Sequence, residues 1–270
     1  MSELAAADSE PDLRERARRW AAAPLSADAL VWPLYLNTFG TGLLDATSVG
    51  AFGVFSSNQT GNAILLLSRA IGVRQAYAPQ TGPALLTTGV SLAAFLLTAF
   101  VAGRIGLARG HRSRWWLLLS LALQAVVLLV CAVLVEVHVL PVGAYEPPEL
   151  VDPALDAIPI ALLAATAGLQ VSQARCSGVQ EVPTAMLTSP MVDLVVHPRL
   201  FAPLGASKDQ DDPQGVHSRN IRLIYVSLFL AGIAVGAAVH IRSGVAAVTF
   251  FAFALRIVTA ALVCLLPVES

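Results

Sequence analysis

A carboxylate set inside an apolar stretch is the first place to look for chemistry in this chain. Asp45 falls near the middle of a run otherwise fit to cross a bilayer, where an ionised carboxylate costs at least about 2.5 kcal/mol on insertion scales. At helical spacing Asn37, Thr41, Asp45 and Ser48 form one polar stripe, which must face protein or water. Asp45 so placed either binds a cation or proton during transport or stands as a neutral, hydrogen-bonded acid tying helices together. A second stripe, Thr166, Gln170, Gln173 and Ser177, recurs with nearly the same spacing and without the carboxylate.

Two polar interruptions carry the remaining candidates. The first, Ser57 to Asn62, is rich in amides and hydroxyls, and Gly61 permits a turn before the short apolar piece 63–71. If that piece is a half-helix, Thr60 or Asn58 caps it and its first N–H groups point into the protein. Asn58, Thr60, Gly61 and Asn62 are then substrate contacts suited to an anion or carboxylate, although capping alone accounts for the same residues. The second interruption holds Glu181, Thr184, Thr188 and Asp193, with Pro183 and Pro190 breaking helical hydrogen bonding before the apolar piece 185–196. Its threonines, with Gln173, are the matching substrate contacts. Glu181 and Asp193 form a proton relay with Arg256, or else lie solvated at the membrane edge beside Arg175 and Arg199.

Other chemistries lack their residues. His240 has no second His or acid at a ligand spacing, so no metal site and no cofactor is expected. Neither a nucleophile elbow, an HExxH pair nor a phosphate loop is present, which argues against an enzyme. A formal net charge of −1 excludes a bulk nucleic-acid binder.

The elements that must position these groups are membrane helices. Of 270 residues 56% are hydrophobic and only 13% charged, with a mean hydropathy of +0.69, beyond what a soluble domain hides. Six spans are expected at roughly 31–56, 83–105, 115–140, 155–175, 221–241 and 245–266. Trp32, Trp115 and Trp116 lie at predicted ends, as interfacial aromatic belts require. Gly232 and Gly236 give the fifth span a small-xxx-small face for close helix packing.

Basic residues orient the chain. With the amino terminus inside, the tail holds Arg14, Arg16, Arg18 and Arg19, the 104–114 connection four more arginines, and 175–222 five basic residues, against Arg69, Arg74 and Arg242 outside. The loop 141–154 carries Glu146, Glu149 and Asp152 with no Lys or Arg, so both termini should face the cytosol. The predicted organisation is a basic tail over 1–28, a three-span repeat over 29–140, the outside loop 141–154, and a second repeat over 155–266 containing a cytosolic loop at 197–220. The tail lacks the core of a signal peptide and is expected to be retained, with 13–22 as a short basic helix on the membrane surface or as part of a disordered tail.

The two halves echo each other. GLLDATSVGAFGVFSSNQTGNAILLL from Gly42 and GLQVSQARCSGVQEVPTAMLTSPMVDLVV from Gly168 each follow the first span of a half and end in a polar break. Three spans per half relate the halves by a two-fold axis in the membrane plane, with the short pieces as half-helices or re-entrant segments. Gly42-Leu43-Leu44-Asp45-Ala46, then Ser57-Asn58-Gln59-Thr60-Gly61-Asn62, and Val101-Ala102-Gly103-Arg104-Ile105-Gly106 closing the second span, resemble the YoaK-like family of uncharacterised membrane proteins over about 30–266. That family's first motif reads like G-x-x-D-A followed by N-x-T-G-N, and both parts match. Its second-half motif commonly ends in Thr-Gly, where this chain has Thr188-Ser189-Pro190. The resemblance implies membrane location and fold rather than an activity.

The expected fold class is therefore an all-α polytopic membrane protein of six helices in two inverted repeats. The expected function is secondary transport of a small polar or ionic solute, with a non-transporting membrane scaffold acting through the tail and the 197–220 loop as the alternative. Expected partners are the lipid bilayer and that solute, without nucleic acid, and a homo-oligomer is compatible with this reading.

Overall fold

The computed structural model describes residues 12–72, 83–140, 142, 153–204 and 215–268. Most of the predicted outside loop 141–154, with Glu146, Glu149 and Asp152, lies outside the described residues, as do 1–11 and the middle of the 197–220 loop.

Among the described residues eight helices form: α1 (Leu13–Ala22), α2 (Ala27–Phe52), α3 (Gln59–Ala70), α4 (Pro83–Arg109), α5 (Arg114–Glu136), α6 (Pro153–Cys176), α7 (Thr188–Val195) and α8 (Val216–Leu265). Strand-like pairing among them is confined to the isolated bridges Pro24 with Ser113 and Leu25 with Val268. Four helices are long and apolar enough to cross a bilayer: α4 from Leu85, α5, α6 from Ala157, and α8. Leu96, Leu97, Phe100 and Val101 of α4 and Leu230, Ile257 and Val258 of α8 remain exposed, a surface that water would penalise and lipid accepts. α2 misses that set because Asn37, Thr38, Thr41, Asp45, Thr47 and Ser48 dilute its apolar content, yet all six are buried within the bundle.

α8 is not one rod. Fifty helical residues would extend about 75 Å, but Gly244 adopts φ 77° and ψ −176°, outside the helical region. A Cβ on Gly232 would meet the Phe39 carbonyl at 2.2 Å, while one on Gly40 would lie 3.3 Å from Arg256 Nη1. Residues 24 positions apart thus reach the same level of α2, so the helix doubles back at Gly244, where glycine tolerates a positive φ. The first arm runs from Val216 towards Gly244 alongside α2, and the second returns.

α2 packs most extensively on α8, and α4 on α6. The expected close packing at Gly232 and Gly236 is present: their Cβ positions would fall 2.2 Å from the Phe39 carbonyl and 2.5 Å from that of Leu43. Two apolar clusters fill the interior, one around Tyr35, Leu121, Tyr225 and Phe229, the other around Leu43, Leu128, Leu163 and Val248.

The predicted basic helix exists as α1, with none of its residues buried. Behind it, Arg114 joins α1 to the residue that follows α8: Nη1 donates to the Trp20 carbonyl at 3.3 Å, Nη2 donates to the Leu266 carbonyl, and the guanidinium lies 4.5 Å from the Trp20 ring centroid. Arg114 is itself buried, so its side chain cannot exchange these partners for water. Arg114→Met should cost about 2 kcal/mol and raise amide exchange at Leu25, which donates to the Arg112 carbonyl, by at least tenfold. Unchanged exchange there would show the clamp to be dispensable.

Candidate functional site

Both interruptions fold as hairpins that turn back into the bundle. After α2 ends at Gly53 in a left-handed cap, the chain runs back along α3. Asn62 of α3 accepts from Phe55 N–H at 2.9 Å through Oδ1 and donates from Nδ2 to the Phe55 carbonyl at 2.8 Å, while Arg69 donates to the Gly53 carbonyl at 3.4 Å. Asn62 also donates to Ser91 Oγ at 3.1 Å on α4. Asn58 caps α3, its Oδ1 accepting from Gly61 N–H at 3.2 Å, as the sequence suggests.

Asp45 is the floor of this hairpin. Its Oδ1 accepts from Ser56 Oγ and from Ser57 N–H, each at 2.8 Å, and its Oδ2 accepts from Ser57 Oγ at 2.6 Å. One turn on, Ser48 Oγ accepts from Ser56 N–H at 3.0 Å. A non-helical segment at this depth exposes backbone donors that lipid cannot satisfy, and Asp45 with Ser48 supplies the acceptors.

The second hairpin comes from the end of the bundle where α1 and the end of α8 lie. Ser218 donates to Glu181 at 3.0 Å near the start of α8, and Tyr225, two turns deeper, donates to the Met186 carbonyl at 2.7 Å. α7 then returns, and Asp193 comes within 3.8 Å of Arg222. Thr184 sits at the bend with φ 60°, fully buried and with Oγ1 unpartnered. A β-branched residue in that region is strained.

The tips of the two hairpins share one cleft of about 810 Å³. Asp45 and Val49 of α2, Asn58, Thr60, Gly61 and Ile64 of the first hairpin, Ala185 to Ser189 of the second, and Phe229 and Ile233 of α8 line it. Of the residues picked from sequence, Asp45, Asn58, Thr60, Gly61 and Thr188 therefore meet. Asn62 stands behind the cleft with its amide committed to the turn. The α7 start has no side-chain cap, so the N–H groups of Thr188 and Ser189 have no capping acceptor from the protein, and this end sits across the cleft from the start of α3.

Four candidates, Gln173, Glu181, Asp193 and Arg256, lie elsewhere, and Thr184 sits at the bend rather than on the cleft wall. Gln173 is buried beside a separate small void. Glu181 and Asp193 have the partners given above, near the start of α8. The pairing of these acids with Arg256 is not what forms: Arg256 donates from Nη1 to Asn37 Oδ1 at 2.7 Å and from Nη2 to Gln170 Oε1. The reason is distance along the fold, since Arg256 lies halfway down the returning arm, at the level of Gly40. Gln170 completes the cluster by donating to Thr41 Oγ1 at 2.6 Å. The two polar stripes thus face each other, α2 against α6.

Two further residues that hold the first hairpin, Ser56 and Ser91, do not stand out in the sequence. Their only signal is a serine placed where a neighbouring break needs acceptors or donors.

Long apolar helices with outward-facing aliphatic side chains define an all-helical membrane protein. Residues 34–262 match the family model described as protein of unknown function (DUF1275). The chain belongs to that family, in agreement with the resemblance carried by its G-x-x-D-A and N-x-T-G-N motifs. No curated protein and no solved structure matches it.

Proposed function

We propose that this protein is a secondary transporter, not an enzyme, that binds a small polar or ionic solute in the cleft between the two hairpin tips. Six spans carry it: α2, α4, α5, α6 and the two arms of α8, with both termini in the cytosol and the halves related by an in-plane two-fold. The convergence of both hairpin tips on one cleft carries this reading, because broken backbone at membrane depth persists where it lines a cavity.

Helix packing supports the inverted repeat independently. Gly42 and Gly168, which align as the first residues of the two halves' motifs, make equivalent contacts. A Cβ on Gly42 would lie 2.4 Å from the Phe229 carbonyl in the first arm of α8, and one on Gly168 would lie 2.3 Å from the Phe95 carbonyl in α4. The first span of each half thus packs, glycine to a phenylalanine carbonyl, on the second span of the other.

Thr60 and Thr188 are exposed on opposite walls of the cleft, so each tolerates a larger apolar side chain. Proteoliposome uptake across a panel of organic anions, amino acids and inorganic ions should find a transported solute, and Thr60→Leu or Thr188→Leu should each lower uptake at least tenfold while the protein stays folded. Full uptake in both variants, or wild-type vesicles that pass nothing in the panel, would remove the carrier reading.

A further inference from the structure

Taking the cleft between the hairpin tips as the solute site proposed above, we infer that it selects solutes carrying a primary ammonium group on an apolar body, with Asp45 receiving the charge. Among the described residues that line the cleft, Asp45 is the charged one, and none is Lys, Arg or His. The donors that reach it, Ser56 Oγ, Ser57 N–H and Ser57 Oγ, are all neutral. A carboxylate at this depth without a cation beside it is costly, and a cation in contact offsets that cost. The buried Arg256 does not fill the place: it donates to Asn37 and Gln170 and does not line the cleft.

Asp45 still has an acceptor to give. A carboxylate offers about four lone-pair sites. Oδ1 accepts two hydrogen bonds and Oδ2 one, which leaves one site on Oδ2. That site calls for an N–H donor, which a primary ammonium has and a quaternary one lacks. The rest of the solute meets Val49, Phe55, Ile64, Met186, Phe229 and Ile233. Such walls take an apolar body out of water and offer a bare metal cation few of the oxygens it needs. A volume of about 810 Å³ suits a small organic molecule.

The pull towards an anion is weaker. The start of α3 is closed by its own hairpin, Gly61 N–H donating to Asn58 Oδ1 and Gln59 N–H to the Ser57 carbonyl. At α7 only Thr188 and Ser189 bring open N–H groups, because Pro190 has none. A helix start is equivalent to about half a charge, against the full charge of Asp45.

Isopentylammonium, isopentanol and isovalerate share one branched skeleton and differ in charge. Titrated into the purified full-length protein at constant ionic strength, isopentylammonium should raise the thermal midpoint saturably. Its half-saturating concentration should lie about tenfold below that of isopentanol, the worth of one hydrogen bond to a charge, with isovalerate weaker than both. Asp45→Asn should bring isopentylammonium to the half-saturation of isopentanol and leave isopentanol where it was, a pattern that general loosening of the fold does not produce. Thr60→Leu, which narrows the cleft without touching its charge, should weaken both alike. If Asp45→Asn does not fold, the three-ligand comparison on the wild type decides. A flat isopentylammonium curve, equal half-saturation for ammonium and alcohol, isovalerate binding as tightly as the ammonium, or an Asp45→Asn curve like the wild type would each overturn the proposal. No flux is measured here, so wild-type vesicles that pass nothing would remove the carrier and leave the charge preference standing, whereas a missing preference with uptake intact would remove only the ammonium class.

Discussion

Gly42→Ala should destabilise the protein by about 3 kcal/mol, at the upper end of what one added methyl costs in a packed interior. Its Cβ would lie 2.4 Å from the Phe229 carbonyl and 2.9 Å from Ile233 N, both backbone atoms. Neither can rotate away, so α2 and α8 must separate along their length and forfeit dispersion contacts that depend on distance. Gly168→Ala should cost a similar amount, with the Phe95 carbonyl at 2.3 Å. Gly103→Ala is the control: its Cβ would meet only Ser172 Oγ at 3.4 Å, and its cost should stay under about 1 kcal/mol. Cys131 is buried while Cys176 and Cys264 are exposed. In a Cys176→Ala, Cys264→Ala background, thiol labelling of Cys131 therefore reports unfolding directly. Equal labelling rates for Gly42→Ala and Gly103→Ala would show that the helices do not meet at backbone distance.

How much of this was legible beforehand follows from range. The helices were readable because bilayer crossing is a property of composition over twenty residues, and the predicted spans overlie α2, α4, α5, α6 and the arms of α8. The short pieces 63–71 and 185–196 were readable as interruptions for the same reason, and they overlie α3 and α7. The polar stripes were readable from helical spacing, though spacing alone could not say that Gln170 of one bonds Thr41 of the other. Arg256 was misassigned because charge complementarity suggested acids, whereas the fold sets the guanidinium against amides 219 and 86 positions away in sequence. Arg114 counted only as a positive-inside residue, since nothing local announces that its partners are the carbonyls of Trp20 and Leu266.

Asp45 is where sequence and structure pull hardest on the same residue. From sequence it competes for two roles, ion coupling or structural tie, and the geometry gives the second a definite content: it accepts three hydrogen bonds from Ser56 and Ser57. Asp45→Ala removes both acceptor oxygens, and with them all three hydrogen bonds, and strands the Ser57 N–H in the bundle, so it should cost about 3 to 5 kcal/mol and open the 53–58 segment to protease. Asp45→Asn is more telling. Its Oδ1 still accepts from Ser56 Oγ and Ser57 N–H, and its NH2 can donate to Ser57 Oγ once that hydroxyl rotates. The hairpin should therefore survive with a loss near 1 kcal/mol. Because the cleft also reaches Asp45, the charge itself is then the variable left to test. If Asp45→Asn keeps its stability but loses proton- or cation-driven uptake, the carboxylate couples as well as ties. If uptake persists at the wild-type rate, its work is to tie the first hairpin tip to α2 through Ser56 and Ser57.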